Sequence, residues 1–211
     1  WIKPGVTDEN ASLVNKSIPG SDTYEDDSYT LFLLSDGSLK VGLYNGESGI
    51  DYTTSPNPNL YDGGWHHIAF VFDKPNSYFY VNGEILEESF PSWDNDLFNS
   101  STPVRLGTRV NGTTYGAFYY GKLDDFQVWT EALSQDEIQG HMYDESSEDK
   151  ENLGGHWKFN SGEDLIVYDH SGNSNHGTVS GGAEWSNDEP VMVTFQYDAY
   201  NQTVSPNGIH I

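Results

Sequence analysis

The turn Asp169-His170-Ser171-Gly172-Asn173-Ser174-Asn175 puts oxygen-bearing side chains at alternating positions: Asp169, Ser171, Asn173 and Asn175. Hard cations take such ligands, and calcium tolerates their irregular geometry, so this turn is a candidate calcium site. Asp124 or Asp125 is a second candidate, and the acidic loop Asp22 to Asp27 a third. A plainer alternative exists, since Asx side chains commonly bind backbone N–H groups within tight turns. Other chemistry is poorly served. The chain has no cysteine, no His-Glu-x-x-His pair and no nucleophile elbow. His66 and His67 are adjacent, so on a strand they face opposite ways and cannot share a metal. The five glycosylation sequons, at Asn10, Asn15, Asn99, Asn111 and Asn201, are expected by chance in a Ser/Thr/Asn-rich chain.

Bulk properties narrow the classes further. There are 33 acidic residues against 9 basic, a net charge of -24, and aromatics make up 14% of the 211 residues. Such a surface repels polyanions, which argues against nucleic acid and anionic membrane as partners. The aromatic content is too high for disorder. No apolar run is long enough for a membrane helix, so direct membrane insertion is not expected. The chain opens at Trp1 in what reads as mid-strand, and we expect it to be a piece of a longer secreted protein.

The elements that would position these residues are strands. In Trp65 to Leu86 two apolar runs, Ile68 to Phe72 and Tyr78 to Val81, flank Asp73-Lys74-Pro75-Asn76-Ser77, and Asn82-Gly83 follows as a two-residue hairpin turn. This predicts a β-meander. Tyr29 to Leu34 and Leu39 to Tyr44 form a hairpin; the alternation in the second strand predicts one buried face, carrying Leu39, Val41 and Leu43. Trp1 to Gly5 reads as a strand end closing on a Pro-Gly turn, and Tyr115 to Trp129 as a long strand or bent pair of strands. Ser134-Gln135-Asp136-Glu137 is a capping box that starts one short helix near residues 134–143. Trp65, Trp129 and Trp157 are expected in the core. Asp144 to Glu151 is an acidic linker.

Four spaced motifs together carry a family resemblance: WHHIAFVFD with FYVNG, then VRLG, then GKLDDFQVWTEALSQDEI. They resemble the laminin-G-like, or concanavalin A-like lectin/glucanase, superfamily, in its bacterial branch related to pentraxins. The resemblance implies an all-β, two-sheet antiparallel jelly-roll sandwich. WIKPG also resembles the family, at a strand that normally lies well inside the domain. GGHWKFNSGEDLIVYDHSGNSNHGTVSGGAEW resembles the family's opening strands, here placed after the helix. The expected organisation is a sandwich over 1–190, comprising a main block 1–143, the linker 144–151 and strands 152–190 packed onto the first block; the alternative is that a second copy of the domain begins at Asn152. Residues 191–211 resemble the truncated start of a following β module.

The resemblance also shapes the functional expectation. The family's glucanases would imply acidic residues alternating on one strand, so that nucleophile and acid share a face. No such string occurs, and the expectation is no enzyme. The pentraxin-like calcium loop would correspond to Thr108-Arg109-Val110-Asn111, where an arginine replaces a carboxylate. Calcium therefore rests on Asp124, Asp169, Asn173 and Asn175. Relatives place ligands where Asn111, Tyr115, Phe118, Tyr119 and Tyr120 lie, with Trp93 in the loop opposite; Trp93, Asn111, Tyr115 and Tyr119 are the expected ligand-binding residues. Alternate members of that aromatic run must pack inward. The expected function is a non-catalytic recognition module, secreted or at the cell surface, which binds a glycan or a cell-surface protein with calcium as its cofactor. It would sit beside neighbouring modules of the same polypeptide. The alternative is a structural spacer or self-associating repeat, and a third reading is a glycoside hydrolase whose carboxylates converge from distant strands.

Overall fold

In the computed structural model the described residues are 1–5, 10–17, 27–86, 90–111, 114–143, 151–160, 165–188, 190, 195–198 and 203–206. Most of the loop Asp22 to Asp27, the linker up to Lys150 and most of 191–211 lie outside them. Antiparallel strands dominate. One sheet has five strands in the order β5-β4-β3-β2-β9, formed by β2 (Ala11–Ser17), β3 (Asp27–Leu33), β4 (Leu39–Tyr44), β5 (Gly49–Thr53) and β9 (Arg105–Leu106). The meander forms the facing layer with β6 (Ile68–Asp73), β7 (Asn76–Val81) and β8 (Glu84–Ile85). Asn82 at φ 53° and Gly83 at φ 77° make the tight turn that Asn-Gly predicts. Leu33, Leu39, Val41, Leu43 and Tyr52 pack against Phe70, Phe79 and Val81 between the layers, which is the sandwich core.

The helix α1 (Gln135–Tyr143) covers the meander's outer face, where Val71, Tyr80 and Ile138 form a second apolar cluster. Its capping box is built as predicted: Ser134 N–H and Oγ–H both donate to Glu137 Oε2, at 2.7 and 2.6 Å. Gln135 and Gln139 then donate side-chain N–H groups to the Gly83 carbonyl, each at 3.0 Å, docking the helix on the hairpin turn. Among the described residues no helix is long and apolar enough to cross a membrane.

Trp1 to Gly5 holds a strand that ends at Pro4, as expected, while its partners and three other local readings are new. Its strand β1 (Ile2–Pro4) pairs with β12 (Gly121–Leu123) on one side and bridges Ile2 to His66 on the other. It therefore joins the meander to the Tyr115–Trp129 segment, with Ile2 in the core. That segment is broken into β11 (Thr114–Gly116), β12 and β13 (Phe126–Trp129), with positive φ at Ala117 (49°) and Asp125 (45°) on either side of β12. Strand β4 is covered on both faces, because the Tyr44 ring folds back over Gly49 and its hydroxyl sits above Gly42 and donates to Asp51 Oδ1 at 2.7 Å. A side chain at Gly42 would collide with that hydroxyl. Finally, Trp65, Trp129 and Trp157 are only half-buried and lie outside the apolar clusters. Trp129 stacks on His141 and Trp157 on Phe126, with ring centroids 4.4 and 5.4 Å apart.

Downstream, β14 (Leu153–Trp157) pairs antiparallel with β13, and Asp125 Oδ1 lies 2.5 Å from His156 Nε2. The short pair β15 (Ile166–Val167) and β16 (Gly177–Thr178) follows. Asp188 then reaches back to Lys3 and Lys122, so this segment touches the first block at two separate places.

Candidate ligand-binding site

The residues nominated from the sequence separate into two kinds of place. Asp169 and its neighbours form a closed turn. Asp169 Oδ1 accepts the N–H groups of His156 and Ser171, both at 2.9 Å; Oδ2 accepts Ser171 Oγ–H and Asn175 N–H, also at 2.9 Å. Burial raises the carboxyl pKa, but these four donors outweigh it and hold it at about 2. Asn173 and Asn175 turn their amide N–H groups to the carbonyls of Leu153 and Gly154. The turn thus locks β14 to the segment beyond it. Asp124 is elsewhere, and its Oδ1 accepts the N–H of Asp125 at 3.0 Å. Among the described residues no three His, Asp or Glu side chains converge as a metal cluster.

The aromatic run is the other kind of place. Tyr115, Phe118 and Tyr120 are 59%, 47% and 57% exposed, high values for large rings. Tyr119, between the last two, turns inward against the core and donates its hydroxyl to the Lys122 carbonyl at 3.2 Å; burial raises its pKa. The split falls in the short connection between β11 and β12, where Phe118 and Tyr120 are exposed and Tyr119 between them is packed inward. The backbone beneath them is tied down. Ser12 N–H donates to the Ala117 carbonyl (2.8 Å), Tyr119 N–H to Gly107 (2.8 Å) and Gly5 N–H to Tyr120 (2.7 Å). Tyr115 lies on the hairpin of β10 (Arg109–Asn111) and β11, where it pairs with Val110. Asn111 ends β10 and pairs with Thr114.

Trp93 does not join this group. It is 8% exposed, packs against Phe72 at 5.9 Å, and its backbone N–H donates to the Pro75 carbonyl. Of the four expected ligand residues, then, the structure presents Tyr115 outward, turns Tyr119 inward and buries Trp93, while the side chain of Asn111 lies outside what is described. Phe118 and Tyr120 are the exposed rings of the strip. The sequence signal for them was position: they are i and i+2 around a residue whose side chain must pack.

Comparison with known proteins places this geometry. The laminin G-type model of the concanavalin A-like lectin/glucanase superfamily matches residues 1–139. The chain belongs to that superfamily. No curated protein sequence matches it. Among solved structures, a candidate carbohydrate-binding protein from Bacteroides ovatus superposes with a TM-score of 0.60 at 22% identity, over 85% of this chain. The chain spans half the length of that protein. A heptameric pentraxin from Limulus polyphemus, described as SAP-like, gives a TM-score of 0.46 at 22% identity, covering 65% of this chain and 64% of the pentraxin. An S-layer domain-containing protein from Clostridium thermocellum gives 0.32 at 22% identity, over 67% and 66% of the two chains. In this superfamily member the exposed rings lie on a segment tied to the sandwich by backbone hydrogen bonds.

Proposed function

We propose that the chain is a non-catalytic glycan-binding module of a secreted or cell-surface protein. The observation that carries this reading is the outward strip of Tyr115, Phe118 and Tyr120 on a backbone fixed by hydrogen bonds to three other segments. Aromatic faces stack on the apolar faces of sugar rings, and a backbone already held in place loses little entropy on binding. Concanavalin A-like architecture and the Bacteroides ovatus neighbour support the same direction. Two carboxylates of the second half are used structurally, Asp125 against His156 and Asp169 in its turn. Recognition on this reading uses rings and does not require calcium.

A glycan array probed with the intact chain and with Tyr120→Ala tests it. Glycans retained by the parent and lost by the variant, with and without chelator, are the expected result. An array on which the parent retains nothing, or on which the variant binds as the parent does, rules the ring strip out as the site. One observation favours a second reading, self-association: Leu165, Ile166 and Tyr168 are exposed side by side around β15. Sedimentation of the chain as a concentration-dependent oligomer, dispersed by Leu165→Asp, would identify that role.

A further inference from the structure

After Asp96 no acidic residue occurs until Asp124, and this is by far the longest such gap in a chain with 33 acidic residues. Within it lie Arg105, Arg109 and Lys122, a third of all 9 basic residues, and all three exposed rings. The fold adds a fourth cation. Lys122 follows Tyr120 by two positions, where the Gly5–Tyr120 hydrogen bond continues the β1–β12 pairing, and Lys3 is the cross-strand partner of Lys122. Two lysines side by side on neighbouring strands repel one another. Here they are reconciled by a carboxylate from distant sequence: Asp188 Oδ2 accepts Lys3 Nζ at 2.9 Å and Lys122 Nζ at 2.7 Å, while Oδ1 accepts Trp65 Nε1 at 3.3 Å. The end of the ring strip is thus a place that already holds a carboxylate.

We propose that the ligand of this strip is an acidic polysaccharide, whose carboxylate or sulfate groups pair with the Lys122–Lys3 end while its sugar rings stack on Tyr120 and Phe118. Asp188 is the internal stand-in for that anion and competes with it. This rests on the glycan-binding reading. The overall charge of -24 does not forbid such a ligand, because exposed charges more than a Debye length away, about 8 Å at physiological salt, are largely screened, and the carboxylate in contact with both lysines, Asp188, is the one the ligand would replace.

The test measures binding of the intact chain to polygalacturonate, dextran sulfate and a neutral mannan by calorimetry at low and high salt. The parent should bind an acidic polymer at least about tenfold more tightly than mannan, the equivalent of one charge-assisted contact, with the advantage shrinking in salt. The two acidic polymers separate carboxylate from sulfate recognition. Asp188→Asn, which frees both lysines, should tighten acidic binding several-fold and leave mannan unchanged; Lys122→Gln should weaken it. Because Lys122→Gln also removes a tether, its melting temperature is measured alongside, and Arg109→Gln on the neighbouring hairpin provides a second loss of positive charge. Mannan binding as tight as acidic binding, or Asp188→Asn without effect on acidic polymers, overturns the inference while leaving the ring strip as a neutral-glycan site. Failure of all three polymers and of the glycan array removes both.

Discussion

The Asp169 turn and the Tyr115–Lys122 strip both stand out as places rich in functional side chains, yet the fold treats them oppositely. In the turn, four donors converge on one carboxylate and all come from the chain itself. In the strip, a tethered backbone supports three rings left facing solvent. The polar cluster spends its bonding capacity on joining segments, while the strip keeps its surface for something outside the chain. A site is recognised by what the fold leaves unsatisfied, more than by the density of suitable residue types.

The comparison can be broken at several points. The greatest effect is expected from ending the chain at Glu151. We infer that strands 152–190 complete the sandwich: β13 would lose β14, and Asp125 its partner His156. Cooperative unfolding should vanish in calorimetry; a shortened chain that melts like the parent would make the segment a separate unit. Next, Asp169→Ala strands four donors, two from backbone groups of the turn. Stability should fall by about 4 kcal/mol in urea titration, with glycan affinity per folded molecule unchanged.

Acidification comes third. Burial holds His67 at a pKa of about 3, well below its ordinary 6.5, so the unfolded chain binds its proton first and stability drops as pH falls from about 6.5 towards 3. Asp169, held at about 2, adds a loss below its unfolded value of 3.8. His67 should remove roughly 3 kcal/mol between neutral pH and pH 4, with the Asp169 loss following below that, read from urea midpoints; His67→Phe should flatten the upper part of that slope.

The strip gives the opposite profile. Tyr115→Ala or Tyr120→Ala should change stability by no more than about 0.5 kcal/mol, as at exposed sites generally, while glycan affinity falls about tenfold per ring, by analogy with other stacking contacts. A large stability loss from either change would mean that the ring is structural. Smallest of all, chelation should leave the melting temperature unmoved, since the Asp169 oxygens are already engaged by protein donors. A rise on adding calcium would reassign that turn as a metal site.

How much was legible from sequence depended on range. The Asn82-Gly83 turn and the Ser134–Glu137 capping box were readable because the residues that make them are neighbours in the chain. The place of β1 was not, since its partners are His66 and β12, and nothing in WIKPG names them. The tryptophans show the same limit. Trp93 sits in an irregular segment without periodicity, yet long-range packing on Phe72 buries it, while Trp65, three residues before β6, only half enters and gives its indole N–H to Asp188.

What the sequence determined by itself was the sheet-forming pattern, the tight turns, the helix cap and, through four spaced motifs, the superfamily. These follow from local sterics and period-two burial, which act over a few residues. The tertiary structure alone decided which side chains of a uniformly aromatic run face water, and which distant carboxylate meets a pair of lysines. Tyr119 and Tyr120 are chemically identical neighbours. Only the layer beneath them, packed from residues far away in the chain, turns one into core and leaves the other for a ligand.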